Sequence, residues 1–256
     1  MMTAPAVTVV IPSYNQAAFL KTALASVFDQ SVAVEAIVVD GGSTDSSVDI
    51  IKRFESRLLW WRSCQDAGQA AAINEGASKG RAPYVCWLNS DDLYLAGGLP
   101  RMIQALQDVP EAPAVYGRCL IIDERAQKKK AYWTAPFSEK HLANRCFIAQ
   151  PATLIRRSAW EQVGGLDERL RMSFDYDLWW RLYKRCGSLQ YLREVVAASR
   201  YHQGTKTNRF RRAHYRESMM VVRKHHGSVP LKWYVAWPIH VYLWHYVNKA
   251  TDVIGI

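Results

Sequence analysis

Along the first hundred residues, apolar runs and helical periodicities take turns. Val7-Thr-Val-Val-Ile-Pro12 is a short β-branched run closed by proline, the pattern of a buried strand. Ala17 to Asp29 sets apolar residues at 19, 20, 23, 24, 27 and 28, a helical spacing. Glu35-Ala-Ile-Val-Val-Asp40 is a second strand, closed by Gly41-Gly42. Ser43-Thr-Asp-Ser46 then supplies helix-start residues before Val48, Ile50 and Ile51. The pattern continues with a third strand over Leu58–Trp61, a third helix over Gln69–Lys79 and a fourth strand over Pro83–Leu88. Such alternation implies a parallel sheet with right-handed crossovers. Further on it predicts a helix to about Leu106, short strands at 115–116 and 120–122, and helices over Ser158–Val163 and Asp175–Cys186.

Parallel sheets collect ligands at the carboxyl ends of their strands. Here those ends carry Ser13-Tyr14-Asn15, Asp40-Gly41-Gly42 and Asn89-Ser90-Asp91-Asp92. One such cluster would be a turn; three favour a site.

The chain has 256 residues, 49% of them hydrophobic, enough for a sizeable core and too apolar for wholesale disorder. Its five cysteines form no CxxC pair, which argues against a cysteine zinc site and fits a reducing, cytoplasmic setting. The opening residues do not read as a signal peptide, and the apolar stretch 233–247, broken by Pro238, His240 and His245, is too short and too polar to span a bilayer. The net charge is +10, but Arg200 to Ile256 holds ten Lys/Arg against Glu217 and Asp252 alone. The first 199 residues are thus nearly neutral, so the basic excess does not describe the whole protein. Lys128-Lys129-Lys130 reads as a solvated hairpin tip.

Candidate chemistry centres on carboxylates. Asp91 and Asp92 follow a buried strand, where like charges repel unless a cation or hydrogen-bond donors compensate them. Mg²⁺ or Mn²⁺ would do so and would bridge to substrate phosphates; a helix N-cap is the plainer alternative. Asp40 before two glycines suits a base N–H or a ribose hydroxyl, or else a tight turn. Neither a phosphate-loop motif nor a G-x-G-x-x-G follows any strand.

Four segments in order, 7–15, 38–45, 65–76 (Gln-Asp-Ala-Gly-Gln-Ala-Ala-Ala-Ile-Asn-Glu-Gly) and 87–92 (Trp-Leu-Asn-Ser-Asp-Asp), resemble the family 2 glycosyltransferases over roughly residues 5 to 205. The resemblance implies an α/β GT-A fold: a Rossmann-like, mostly parallel central sheet flanked by helices, here with a basic helical C-terminal extension. It also implies an inverting, metal-dependent enzyme with a nucleotide-sugar donor of UDP or GDP type. Pro12, Tyr14, Asn15 and Asp40 would line the nucleoside pocket, with Asp66 and Asn74 helping to close it. The family's Asp-x-Asp motif maps onto 89–91, so Asn89 and Ser90 would face the nucleotide sugar. Asp91 would ligate Mn²⁺ or Mg²⁺, with Asp92 beside it. Asn89 departs from the usual Asp, and Ala71 stands where many relatives carry Asp.

Ser173-Phe-Asp-Tyr-Asp-Leu-Trp-Trp-Arg181 is similar to the family's acceptor-side segment. Asp175 is then the expected general base and Asp177 the second candidate, while a carboxylate there also suits a helix cap. Phe174 replaces the usual Glu. Arg200-Tyr-His-Gln-Gly-Thr-Lys206 resembles the family's late loop over the diphosphate, which makes His202 a candidate for the metal shell and Lys206 for leaving-group charge. A non-catalytic nucleotide-sugar or glycan-binding module of the same fold is the competing reading.

The division expected is a catalytic domain over 1–207, its nucleotide-sugar half 1–96 and its acceptor half 97–207, followed by an extension over 208–256. The extension interleaves cations with Trp and Tyr, which suits an anionic membrane surface or packing on the domain. No nucleic-acid motif accompanies the charge. The acceptor expected is an oligosaccharide or a lipid-linked glycan, and the enzyme would be cytoplasmic, peripheral on the membrane's cytoplasmic face.

Overall fold

The computed structural model describes residues 4–202, 204–239 and 241. Strands β1 (Val7–Ser13), β2 (Val34–Asp40), β3 (Trp60–Ser63) and β4 (Tyr84–Trp87) alternate with helices α1 (Ala17–Phe28), α2 (Ser47–Phe54) and α3 (Gln69–Lys79). These four strands are parallel in the order β3-β2-β1-β4, as the sequence pattern requires. The third strand starts two residues later than its apolar run.

The second half is less regular. After β5 (Leu93–Tyr94) and α4 (Gly98–Asp108), β6 (Ala114–Ile122) runs unbroken where the pattern suggested two short strands. There follow β7 (Lys128–Ala131), α5 (Glu139–Asn144), β8 (Thr153–Arg156), α6 (Arg157–Val163), α7 (Phe174–Cys186) and β9 (Gln190–Arg200). β8 is antiparallel to both β4 and β6, and β6 pairs in parallel with β9, so the sheet is mixed beyond β4. The order is β3-β2-β1-β4-β8-β6-β9-β5, with β7 added to β6. Neither β8 nor β9 stands out in the sequence, because partly polar runs pair there with long buried neighbours. Three helices complete the described chain: α8 (Lys206–Arg209), α9 (Arg211–His226) and α10 (Leu231–Pro238).

Strand alternation divides the core between the two faces of the sheet. Val7, Val9 and Ile11 pack with α1 and α4, and Val10, Ile37 and Val39 with α3, α6 and α7. Trp87 stacks on Trp179 of α7 with ring centroids 6.0 Å apart, fastening this helix to the strand that leads into Asn89. Truncating such a buried tryptophan costs about 3–5 kcal/mol. Pro12 sits in a central strand at no cost to the ladder. Val10 O accepts from Leu88 N, so Pro12 turns its nitrogen to the same side beyond the end of β4.

The extension expected over 208–256 shares this core over its described part. Val221 and Val222 of α9 and Trp233 of α10 are buried in it, and Trp233 Nε1 donates to Ala143 O at 2.8 Å. No break in packing marks residue 207. The rest of the extension, including His240, His245 and Trp244, lies outside the described residues.

Candidate functional site

The three strand ends converge at one rim. Tyr14, after β1, is 62% exposed. Asn15 adopts a left-handed backbone (φ 51°), which Asn tolerates better than most residues. Its Oδ1 accepts from Thr44 N at 2.8 Å, so it ties the β1 and β2 loops together and faces the protein.

Asp40 closes β2 and is fully buried. Its Oδ2 accepts from Gly42 N (3.1 Å), Ser43 N (2.8 Å) and Ser63 Oγ (2.7 Å), and its Oδ1 from Ser43 Oγ (2.6 Å). A carboxylate has about four acceptor positions, so these bonds nearly saturate it. Asp40 therefore shapes the loop with most of its acceptor positions. Gly41 is a point of close approach: a Cβ there would lie 3.2 Å from Asp66 Oδ2 and 3.4 Å from Tyr14 Cδ2. Asp66 is half-buried and accepts from Gly68 N at 2.8 Å. Asn74 is turned the other way: it bonds Leu166 N, Leu166 O and Glu168 Oε1, pinning the 166–168 loop.

Beyond β4, an amide relay organises the acidic turn. Lys206 Nζ donates to Gln69 Oε1 (3.3 Å), and Gln69 Nε2 to Asn89 Oδ1 (2.9 Å). Asn89 Nδ2 donates to Asp92 Oδ2 (3.1 Å) and Gln150 Oε1 (3.2 Å). An aspartate at 89 has no donor for these two acceptors, which gives the departure from Asp-x-Asp a structural role. Ser90 is buried. Gln69 and Gln150 were missed by the sequence reading. Gln69 lies inside the third motif and was findable, whereas Gln150 arrives from a distant turn with no local signal.

The two aspartates are not equivalent. Asp92 is buried, and its Oδ1 accepts from Arg200 N at 2.8 Å. Burial, with the Asp91 charge beside it, pushes its carboxyl up to about 8. Through these bonds Asp92 ties the acidic turn to β9 and to Asn89. Asp91 is the accessible partner, with Oδ2 3.0 Å from His202 Nε2. The His202 ring packs on Phe19 at 5.0 Å, and its backbone N donates to Thr205 Oγ1. A carboxylate oxygen and an imidazole nitrogen this close are the side-chain groups here that could hold a divalent ion such as Mn²⁺. Among the described residues no group of three or more His, Cys, Asp and Glu forms a cage by itself.

Asp175 occupies the first turn of α7, where the helix dipole favours an anion. Its Oδ1 accepts from Tyr176 N at 2.7 Å. Burial raises this carboxyl to about 6, with Glu217 adding to the rise and Lys206 opposing it. That value suits a base at neutral pH. Lys206 also lies over the ring of Phe174, the residue before Asp175, at 5.8 Å, while its ammonium donates to Gln69 of the relay.

Asp177, two residues on, sits in a different environment. It is fully buried and bound by Arg181 Nε (2.6 Å), Lys224 Nζ (2.9 Å) and His225 Nε2 (2.8 Å). These partners hold its carboxyl well below the usual range, despite the opposing effect of burial. It joins α7 to α9, and three of its roughly four acceptor positions are taken by these partners.

Comparison with known proteins bears on this arrangement. The family described as Glycosyl transferase family 2 matches residues 8–164. An uncharacterized glycosyltransferase of Rickettsia typhi is 28% identical over 215 residues, covering 80% of this chain and 66% of the relative. The chain thus spans just under two thirds of that relative's length. Two solved structures share the fold at a TM-score of 0.66. Staphylococcus aureus TarS 1–349 in complex with UDP-GlcNAc is 14% identical and matches over 84% of this chain and 65% of its own. The mannosyltransferase PcManGT of Pyrobaculum calidifontis, in complex with GDP-Man and Mn²⁺, is 18% identical over 94% and 71%. With its GT-A architecture and a family match over more than half its length, the chain belongs to glycosyl transferase family 2.

Proposed function

We propose that the protein transfers a sugar, with inversion, from a UDP- or GDP-linked donor to an oligosaccharide or lipid-linked acceptor in glycan biosynthesis. The observation that carries this reading is the pairing of two unlike ends. Asp91 with His202 forms an oxygen–nitrogen pair suited to a cation, and Asp175 is a half-buried carboxylate raised to about 6. Lys206 lies over the ring of Phe174, the residue before Asp175, and donates to Gln69, which in turn bonds Asn89.

Tyr14, Gly41 and Asp66 would receive the nucleoside, and the relay through Gln69 and Asn89 would orient the sugar phosphate. Asp175 would take the proton of the acceptor hydroxyl as its oxygen attacks the anomeric carbon from the face opposite the diphosphate. The C–O bond to the diphosphate breaks in the same displacement, and the Lys206 ammonium offsets the charge that develops there. Asp91 and His202 would hold Mn²⁺ or Mg²⁺, which when bound adds positive charge beside the diphosphate. The UDP-GlcNAc and the GDP-Man and Mn²⁺ of the two neighbours support a nucleotide-sugar donor and a divalent ion.

No described helix is long and apolar enough to cross a membrane, and the proposed working place is the cytoplasmic face of one. A thermal-shift panel of UDP- and GDP-sugars with Mn²⁺ identifies the donor. Turnover of the stabilising donor with glycan and lipid-linked acceptors, and the anomeric configuration of the product by NMR, then test transfer and inversion. Donor binding with neither transfer nor slow hydrolysis would make the chain a binding module.

A further inference from the structure

The outer surface of α9 and α10 is unlike the rest of the molecule. On α9, Arg212, Arg216, Met220 and Arg223 recur every three or four positions, which places them on one helical face, and Arg209 ends the short helix α8 just before it. All five are exposed. None of the four arginines has an acidic partner among the described residues. Between 209 and 239 the lone acid is Glu217, which points inward to the backbone N–H groups of residues 171–173.

On α10, Trp233 turns into the core while Leu231 (74% exposed), Tyr234 (49%), Val235 (66%) and, just past the helix, Ile239 (45%) face out. Soluble surfaces scatter such residues singly; here they share one helical stripe. The two stripes belong to adjoining helices, because Tyr215 of α9 packs against Trp233 and Trp237 of α10 with centroids 5.1 and 5.2 Å apart. Around α9, Tyr215 and Met219 lie between the inward face and the arginine face, so the arginines border the α10 side.

We infer that α9 and α10 together form a docking ledge for an anionic lipid bilayer, the arginines meeting headgroup phosphates and the aliphatic stripe of α10 entering the headgroup boundary. Charge complementarity and an aliphatic stripe beside it are what an interfacial element requires. Nucleic acid would engage the arginines but leave Leu231, Val235 and Ile239 in water. The inference concerns a surface apart from the sugar-transfer site and stands or falls independently of it.

The test is flotation of the full chain with vesicles of phosphatidylcholine alone or mixed with phosphatidylglycerol. Binding to the mixed vesicles, weakened by salt, is expected, with little binding to the neutral ones. Replacing Arg212, Arg216 and Arg223 together by Gln should lower partitioning about a hundredfold, since each cation near such a surface contributes about fivefold. Leu231→Ser with Val235→Ser should weaken it as well, at unchanged circular dichroism. Lys128, Lys129 and Lys130, all exposed on β7, provide the control: their replacement by Gln should leave partitioning intact. No flotation, equal binding to both vesicles, or equal losses in the arginine and lysine variants would overturn the proposal.

Discussion

Glu217 of α9 accepts a hydrogen bond from the backbone N–H of Ser173, two residues before Asp175. It accepts also from Arg171 N and Met172 N, so one carboxylate from the basic C-terminal part organises the entry to the acceptor-side helix. Ser173 makes no side-chain cap of its own there. Instead its hydroxyl meets Ser218 Oγ at 2.9 Å. The placement of the proposed base thus depends on a helix more than 30 residues downstream.

Glu217→Ala should therefore destabilise the fold by about 1–3 kcal/mol, the cost of leaving partly buried donors unpaired. It should also lower kcat more than it raises the KM for donor, because Asp175 loses its orientation while Tyr14 and Gly41 are untouched. Glu217→Gln, which keeps one acceptor oxygen, should recover part of both. Urea unfolding and steady-state kinetics read the two effects.

Asp175→Asn should reduce transfer by about 10²–10⁴-fold, the usual contribution of a positioned base. In the wild type the rate should rise with pH through about 6 as the carboxyl ionises, and this limb should vanish in the variant. The stability effect has the opposite sign. A folded-state value of about 6 against an ordinary 3.8 means that stability is present in full below 3.8 and is lost as pH rises to about 6. Asn removes that loss, so at pH 7 the variant should be more stable by about 1–2 kcal/mol. Reduced activity with raised Tm is the combined signature.

Asp177→Asn should do the reverse. It leaves Arg181, Lys224 and His225 without their shared anion, and breaking a buried ion cluster from one side costs about 3–5 kcal/mol. Because the folded carboxyl is depressed, its stabilisation is present above the unfolded value of 3.8 and is lost as pH falls below it. At temperatures where the variant remains folded, kcat should be close to wild type. A kcat loss equal to that of Asp175→Asn would restore Asp177 as the base.

Asp91→Asn and His202→Ala should each raise the Mn²⁺ concentration needed for half-maximal transfer, with the larger effect at Asp91. Calorimetry of Mn²⁺ into the protein with nucleotide diphosphate present measures this without turnover. Transfer that survives both chelation and Asp91→Asn would refute the metal role.

The N-terminal half was legible because its signals are local. Strand β1 and helix α1 announce themselves by β-branched runs and a helical period, and strand ends rich in small polar residues mark the rim. The mixed half was not, since β8 and β9 become strands by pairing with β6, and register with a distant neighbour leaves no trace in a short window. At the site, sequence motifs pointed to Asp91, His202 and Asp175, and the structure pairs the first two. They could not show that Asp40, Asp92, Asn15 and Asn74 spend their polar atoms on the protein.

The sequence by itself determined the α/β class, the family resemblance and the set of chemistry-bearing residues, because residue type and order suffice for these. Tertiary structure decided which carboxylates remain available. Asp175 and Asp177 are two positions apart on one helix, yet burial, against the pull of Lys206, lifts one to about 6, and Arg181, Lys224 and His225 hold the other far below it. The difference lies in desolvation and in charges brought from α9, and both exist only once the chain has folded.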